Sequence, residues 1–106
     1  MNFARVISAL MLSALAATAA AQWPNKPVRL IIPFPAGSAT DTVGRILGQS
    51  VSAAIGQPIL VENKAGADGA ISGQEVAKAA PDGYTLLLAT NSPIAVVPAL
   101  RKSPPF

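Results

Sequence analysis

The chain has 106 residues, with eight Lys and Arg against five Asp and Glu, no Cys and no His. The missing Cys excludes disulfides and thiolate metal sites, and the missing His removes the commonest general base and metal ligand. The positive residues are scattered and only 5% of the chain is aromatic, so there is no nucleic-acid footprint, and an anionic small molecule suits the basic excess better than a polyanion.

In chain order, residues 1–21 read as an export signal. A single positive charge, Arg5, precedes an apolar stretch from Val6 to Ala17, and the small residues Ala19, Ala20 and Ala21 lead to Gln22. The apolar stretch falls short of the roughly 20 residues that a bilayer span requires. Cleavage after Ala21 is expected, leaving residues 22–106 with a net charge of +2. A chain of that size buries somewhat more than ~60% of the surface its unfolded form exposes. It is either a minimal fold or part of something longer.

After an extended, proline-rich lead-in, "VRLIIPF" (28–34) is apolar, β-branched and too short for a helix, which predicts a buried strand. From Thr40 the positions Val43, Ile46, Leu47, Val51, Ala54 and Ile55 fall on one helical face, and Gly56 sits where a terminating glycine belongs. "QPILVEN" predicts a second strand. The loop "KAGADGA" follows, then a short helix over "ISGQEVAKAA" with Gly73, Val76, Ala77 and Ala80 on its packing face. "PDG" is a turn, "YTLLLA" a third strand, and "TNSP" offers Ser92 as cap with Pro93 at the first position of a last helix. Alternating β and α elements, with strands lacking polar alternation, predict an α/β fold: a three-layer parallel β-sheet with flanking helices, reached through right-handed crossovers.

In such a sheet ligands bind beyond the carboxyl ends of the strands, where helix N-termini present unpaired N–H groups. Three segments fall there: "PAGSATD", "KAGADGA" and "TNS". Each is accounted for by a turn. Ser38 or Thr40 can cap a helix with Asp41 against its dipole, Asp68-Gly69 is a common turn pair, and Asn91 and Ser92 can cap the last helix. Each also suits capture of an anion by the N–H groups of Ala36 to Thr40 and by short polar side chains. No Walker A loop, dinucleotide fingerprint or nucleophile elbow is present, and the carboxylates have no acid/base spacing. Nothing in the residues points to an enzyme, a metal or a cofactor.

The segments "WPNKPVRLIIPFPAGSATDTVGRIL", "GQPILVENKAGADGAISG" and "VAKAAPDGYTLLLATNSPIAVVPAL" resemble the N-terminal portion of Bug-type solute-binding proteins, the extracytoplasmic receptors of tripartite tricarboxylate transporters. The resemblance implies part of one lobe of a two-lobed, type II periplasmic binding protein, with a small carboxylate between the lobes and transporter subunits in the membrane as partners. It implies that the first two loops supply backbone and water-bridged contacts to a ligand carboxylate. Carried over, these are Ala36, Gly37, Ser38, Thr40 and Asp41, then Ala67, Asp68 and Gly69, with Thr90 and Asn91 after the third strand.

The sequence departs from the family where Ala36-Gly37-Ser38 replaces a frequent Pro-Gly-Gly. Family members also run to two domains' worth of chain, so a truncated receptor is the expectation. Two alternatives remain at this point: a small exported structural or interaction module, and a fragment of an enzyme whose catalytic part lies elsewhere.

Overall fold

The structure, a computed structural model, describes residues 23–106. The expected export signal and its cleavage after Ala21 lie outside the described residues. The elements run β1 (Val28–Ile32), α1 (Ala39–Ile55), β2 (Ile59–Asn63), a 3-10 turn (Ala67–Gly69), α2 (Ala70–Lys78), β3 (Thr85–Leu87), and a π-helical turn (Ser92–Val96) that continues as α3 (Val97–Leu100). The three strands are parallel in the order β2-β1-β3, with Leu30 facing Val61 on one side and Leu86 on the other.

β1 ends at Ile32 because Pro33 has no N–H to extend the ladder. As the central strand it holds the core, and Val28, Ile31 and Ile32 are buried. Burial is less complete in β2 and β3. These are the sheet edges, and Leu60 and Leu86 remain exposed.

The two long crossovers lie on opposite faces. Gly44 and Gly48 of α1 rest over Ile32, Leu88, Ile59 and Val61, which project from one side of the pleat. Arg29, of the opposite parity, reaches Glu75 of α2 on the other side. Three layers result, as the sequence predicts. β1 is where the chain reverses its direction of winding, which places a crevice beyond the carboxyl ends of β1 and β3.

Which face α1 buries differs from the expectation. Its buried residues are Asp41, Gly44 and Gly48, while Val43, Ile46, Leu47 and Val51 of the apolar stripe stay 42–61% exposed. Small residues four apart let the helix settle on the sheet. A Cβ on Gly48 would already stand 3.3 Å from Ile59 Cγ2, so the larger side chains are displaced to the flank. There Leu47 and Val51 overhang an apolar groove of about 170 Å³ shared with Leu30, Ile59, Leu86 and Leu88. In α2 the buried residues are Ala70, Ser72 and Gly73. Ala77 is exposed and Ala80 lies beyond the helix end.

On the α2 face an ion network ties three elements together. Arg29 donates twice to Glu62, at 2.7 and 2.8 Å, and once to Glu75 at 2.7 Å. Lys64 Nζ stands 3.7 Å from the Glu75 carboxylate. The Arg29 bonds hold the Glu62 carboxyl below its ordinary range.

Candidate functional site: three loops at the strand ends

The parallel strands end at one edge of the sheet, so the loops Pro33–Ser38, Lys64–Gly69 and Leu88–Asn91 meet there. Their meeting point is Gly69. A Cβ built on it would lie 2.8 Å from Pro93 Cβ and 3.2 Å from Pro33 Cβ, and both prolines are fully buried. One further bond locks the second loop to the third: Ser92 Oγ donates to the Asp68 carbonyl at 3.2 Å. Ser92 is therefore not the cap expected for the last helix, whose N-cap position is Asn91, with no side-chain cap bond.

In the first loop the N–H of Ser38 donates to Pro35 O at 3.2 Å, and Gly37 adopts φ +86°, a left-handed conformation that suits glycine. Ser38 is the N-cap of α1, its Oγ accepting the Asp41 N–H at 3.2 Å. Thr42 N–H closes the first intrahelical bond on Ser38 O. The N–H groups of Ala39 and Thr40 precede that bond and lie at the positive end of the helix dipole.

Asp41 occupies a different role from the rest of its loop. It is 4% exposed, and its carboxylate accepts Gly37 N–H at 2.9 Å, Arg45 Nε at 3.1 Å and Asn63 Nδ2 at 3.0 Å. Chiefly through the Gly37 N–H, and then Arg45 and Asn63, its pKa is lowered from an ordinary 3.8 to about 2. Gly37 N–H is thus turned inward, onto Asp41. Of the donors expected from Ala36 to Thr40, Gly37 and Ser38 are engaged within the loop.

The second loop carries an unusual backbone. Gly66, Ala67, Asp68 and Gly69 all have positive φ, at 136°, 48°, 54° and 90°. Left-handed Ala and Asp are costly conformations of the kind that collect at ligand sites. Ser72 Oγ bonds the Lys64 carbonyl and ties the loop to α2.

In the third loop Thr90 is brought beside the start of α1. Ala39, Thr40, Val43, Leu88, Ala89 and Thr90 line a recess of about 290 Å³. Among the described residues, Thr90 Oγ1 is the buried side-chain oxygen without a hydrogen-bond partner. A buried hydroxyl of this kind calls for an explanation, and a ligand or water supplies one. Asn91 is exposed beyond it.

The fold therefore gathers Thr40 with Thr90, and Asp68 and Gly69 with the third loop, while Asp41 is directed into the protein. Four residues of this site escaped the sequence reading: Pro33 and Pro93, which pack the loops together, and Arg45 and Asn63, which hold Asp41. A polar Asn closing the apolar strand "ILVEN" is the one signal that could have singled out Asn63. What the arrangement offers chemically is a wall of helix-terminal N–H groups, hydroxyls and bare backbone, suited to an anion's oxygens.

The family model for the tripartite tricarboxylate transporter family receptor matches residues 43–106. BugT of Bordetella pertussis is 45% identical over 85 residues, which are 79% of this chain and 26% of BugT. Among solved structures, periplasmic binding protein BugD superposes with a TM-score of 0.75 at 42% identity, over 79% of this chain and 28% of that one. An R. palustris protein, Rpa4515 with adipate, superposes with a TM-score of 0.75 at 30% identity, over 80% of this chain and 28% of that one. The chain thus spans little more than a quarter of the length of these proteins. With the family model matched over more than half of its residues, the chain belongs to the family of tripartite tricarboxylate transporter receptors.

Proposed function

We propose that the full-length protein is an extracytoplasmic receptor that captures a small carboxylate and delivers it to the membrane subunits of a tripartite tricarboxylate transporter. Residues 22–106 would be part of its first lobe, and the three loops one wall of the ligand cleft. The observation that carries this reading is the convergence of the loops on Gly69, with the N–H groups of Ala39 and Thr40 and the Thr90 hydroxyl on the same edge. The adipate bound by the R. palustris neighbour supports a dicarboxylate as the class of ligand.

A receptor performs no covalent chemistry, and the family relationship supports that role over an enzyme's. The periplasmic description of BugD supports export. Residues 1–21 are then the export signal, and mass spectrometry of the secreted protein finds Gln22 at its N-terminus. An intact Met1 on a protein retained in the cytoplasm overturns the export reading.

The binding reading is tested by titrating the full-length protein with adipate and with adipamide. N–H donors at a helix terminus favour charge, so the acid binds and the diamide does not. Equal affinity for the two, or binding of neither, removes it.

A further inference from the structure

We propose that Asn63, which contributes nothing to the ligand wall itself, is the positioning residue that holds the first loop in its binding conformation. The inference rests on the carboxylate reading given above.

Asn63 is the last residue of β2, and Lys64, the next residue, starts the second loop. Its side chain points the other way, toward the first loop and α1. Nδ2 carries two hydrogens and places both: one on the Phe34 carbonyl at 3.0 Å, the other on Asp41 Oδ1 at 3.0 Å. Its Oδ1 accepts from Arg45 Nη2 at 3.2 Å. The Asp41 carboxylate, held from that side, accepts Gly37 N–H with its other oxygen.

A chain of contacts therefore runs from the end of β2, through Asp41, to the tight bend of the first loop. A second contact from the same amide fixes the loop at Phe34. This is the residue through which the placement of the first loop and the root of the second depend on each other. Only an amide of this length supplies two donors and an acceptor here. Aspartate has the same shape and no donor, and leucine has neither donor nor acceptor.

The charge balance gives the assignment a signature that simple loss of packing does not share. The charged groups facing position 63 are Asp41 and Arg45, both from α1. Phe34 faces it with a carbonyl, and Lys64 lies against Glu75 on the far face of the sheet. In Asn63→Asp a second carboxylate meets Asp41. Two adjacent carboxylates cannot both ionise readily, so the pair titrates with one raised pKa. Below that pKa a shared proton restores a donor toward Asp41. Above it the two groups repel and the loop is released.

The test uses the full-length protein, its Asn63→Asp variant and adipate as probe, and takes the ratio of variant to wild-type Kd at each pH so that the ligand's own titration cancels. At pH 7.5 the ratio is about tenfold or more, the size expected for losing hydrogen bonds to a charged group, and it falls toward one as pH drops to 4.5. A ratio near one throughout, or a loss of the same size at both pH values, overturns the assignment.

Amide hydrogen exchange at Gly37 gives a readout without ligand. Its protection drops in Asn63→Asp at pH 7.5 and returns at pH 4.5, while Asn63→Leu loses it at both. Unchanged protection in both variants also overturns the proposal. If the Gly37 changes occur and the wild-type protein binds no dicarboxylate, the hold on the loop stands and the carboxylate reading falls.

Discussion

Gly69 lies within van der Waals reach of Pro93 with no room for a side chain between them, since a Cβ would sit 2.8 Å from Pro93 Cβ. Two penalties coincide there: the overlap, and a φ of +90° that L residues rarely adopt. Gly56 carries the second penalty alone, at φ +71° with nothing within 4 Å of its Cβ position. Gly69→Ala is expected to cost about 2–4 kcal/mol and Gly56→Ala about 1 kcal/mol. Urea denaturation of the two variants of the full-length protein separates them, and equal losses would show that the loops are not packed on Gly69 as described.

Asp41 sets an acid limit on the fold. Its pKa is depressed in the folded protein, from 3.8 to about 2, so its contribution is complete above 3.8 and disappears as pH falls toward 2. Stability should therefore decline with acid in that window. Asp41→Asn should be less stable at neutral pH, with a shallower decline below pH 4. The slope persists in part because Glu62, also depressed by its Arg29 bonds, is lost in acid as well. Thermal melts between pH 2 and 7 give both curves, and parallel curves would contradict the Asp41 contacts.

Replacing Gly37 acts on binding through the backbone. No atom lies within 4 Å of its Cβ position, while its φ is +86°. A β-branched residue cannot hold that conformation easily, and a shift there withdraws the N–H from Asp41. Gly37→Val should weaken adipate binding about tenfold. Asp82→Ala, at a turn remote from the loops where the side chain accepts only the Tyr84 N–H, should leave binding nearly unchanged. Isothermal titration decides between these outcomes.

The exposed stripe of α1 has a consequence for residues 23–106 prepared by themselves. Val43, Ile46, Leu47 and Val51 on the helix, with Leu86 on the β3 edge, leave apolar surface open to water, and β2 and β3 each present an unpaired edge. Such a segment should self-associate. Substituting Leu47 and Val51 together by Glu should reduce light scattering at equal concentration. A monomer with a sharp cooperative melt would show that the stripe needs no cover.

Much of this fold was legible because punctuation and pattern agreed. "VRLIIPF" was read as a strand and forms one as far as Ile32, Ser38 and Gly56 bounded α1 where a cap and a left-handed glycine belong, and strands without alternation implied a parallel sheet. The burial of α1 was not legible. Helical periodicity favours Val43, Leu47 and Val51, and nothing local reveals that Gly44 and Gly48 would make the closer approach to the sheet. β3 was read as six residues and is three, since a strand's length depends on a neighbour's pairing as well as on its own propensity.

Within the site, loop positions followed from topology, but directions did not. Asp41 was counted among the ligand groups through the family resemblance, while the residues alone set it against the helix dipole; acidic residues near a helix start share one sequence signature, whether they face solvent or protein. Only the meeting of Asn63, Arg45 and Gly37 around it, from two elements and a loop, shows which way it points. Pro33 was read within the first strand segment and Pro93 as the first position of the last helix. Their contact through Gly69 is a long-range fact that no window of sequence contains.

All the loops that meet at Gly69 come from one uninterrupted stretch between residues 33 and 93. If this edge is the proposed cleft wall, a wall encoded so compactly is portable: the stretch could be grafted as a single cassette between related receptors without recutting the rest of either chain. The groups it would offer a ligand are mostly backbone and helix-terminal N–H, so on the carboxylate reading such a graft would carry over the recognition of a carboxylate end while leaving the recipient to choose what is attached to it. Ligand range in a set of chimaeras should then follow the recipient's opposing wall, and the requirement for an acid should follow the cassette.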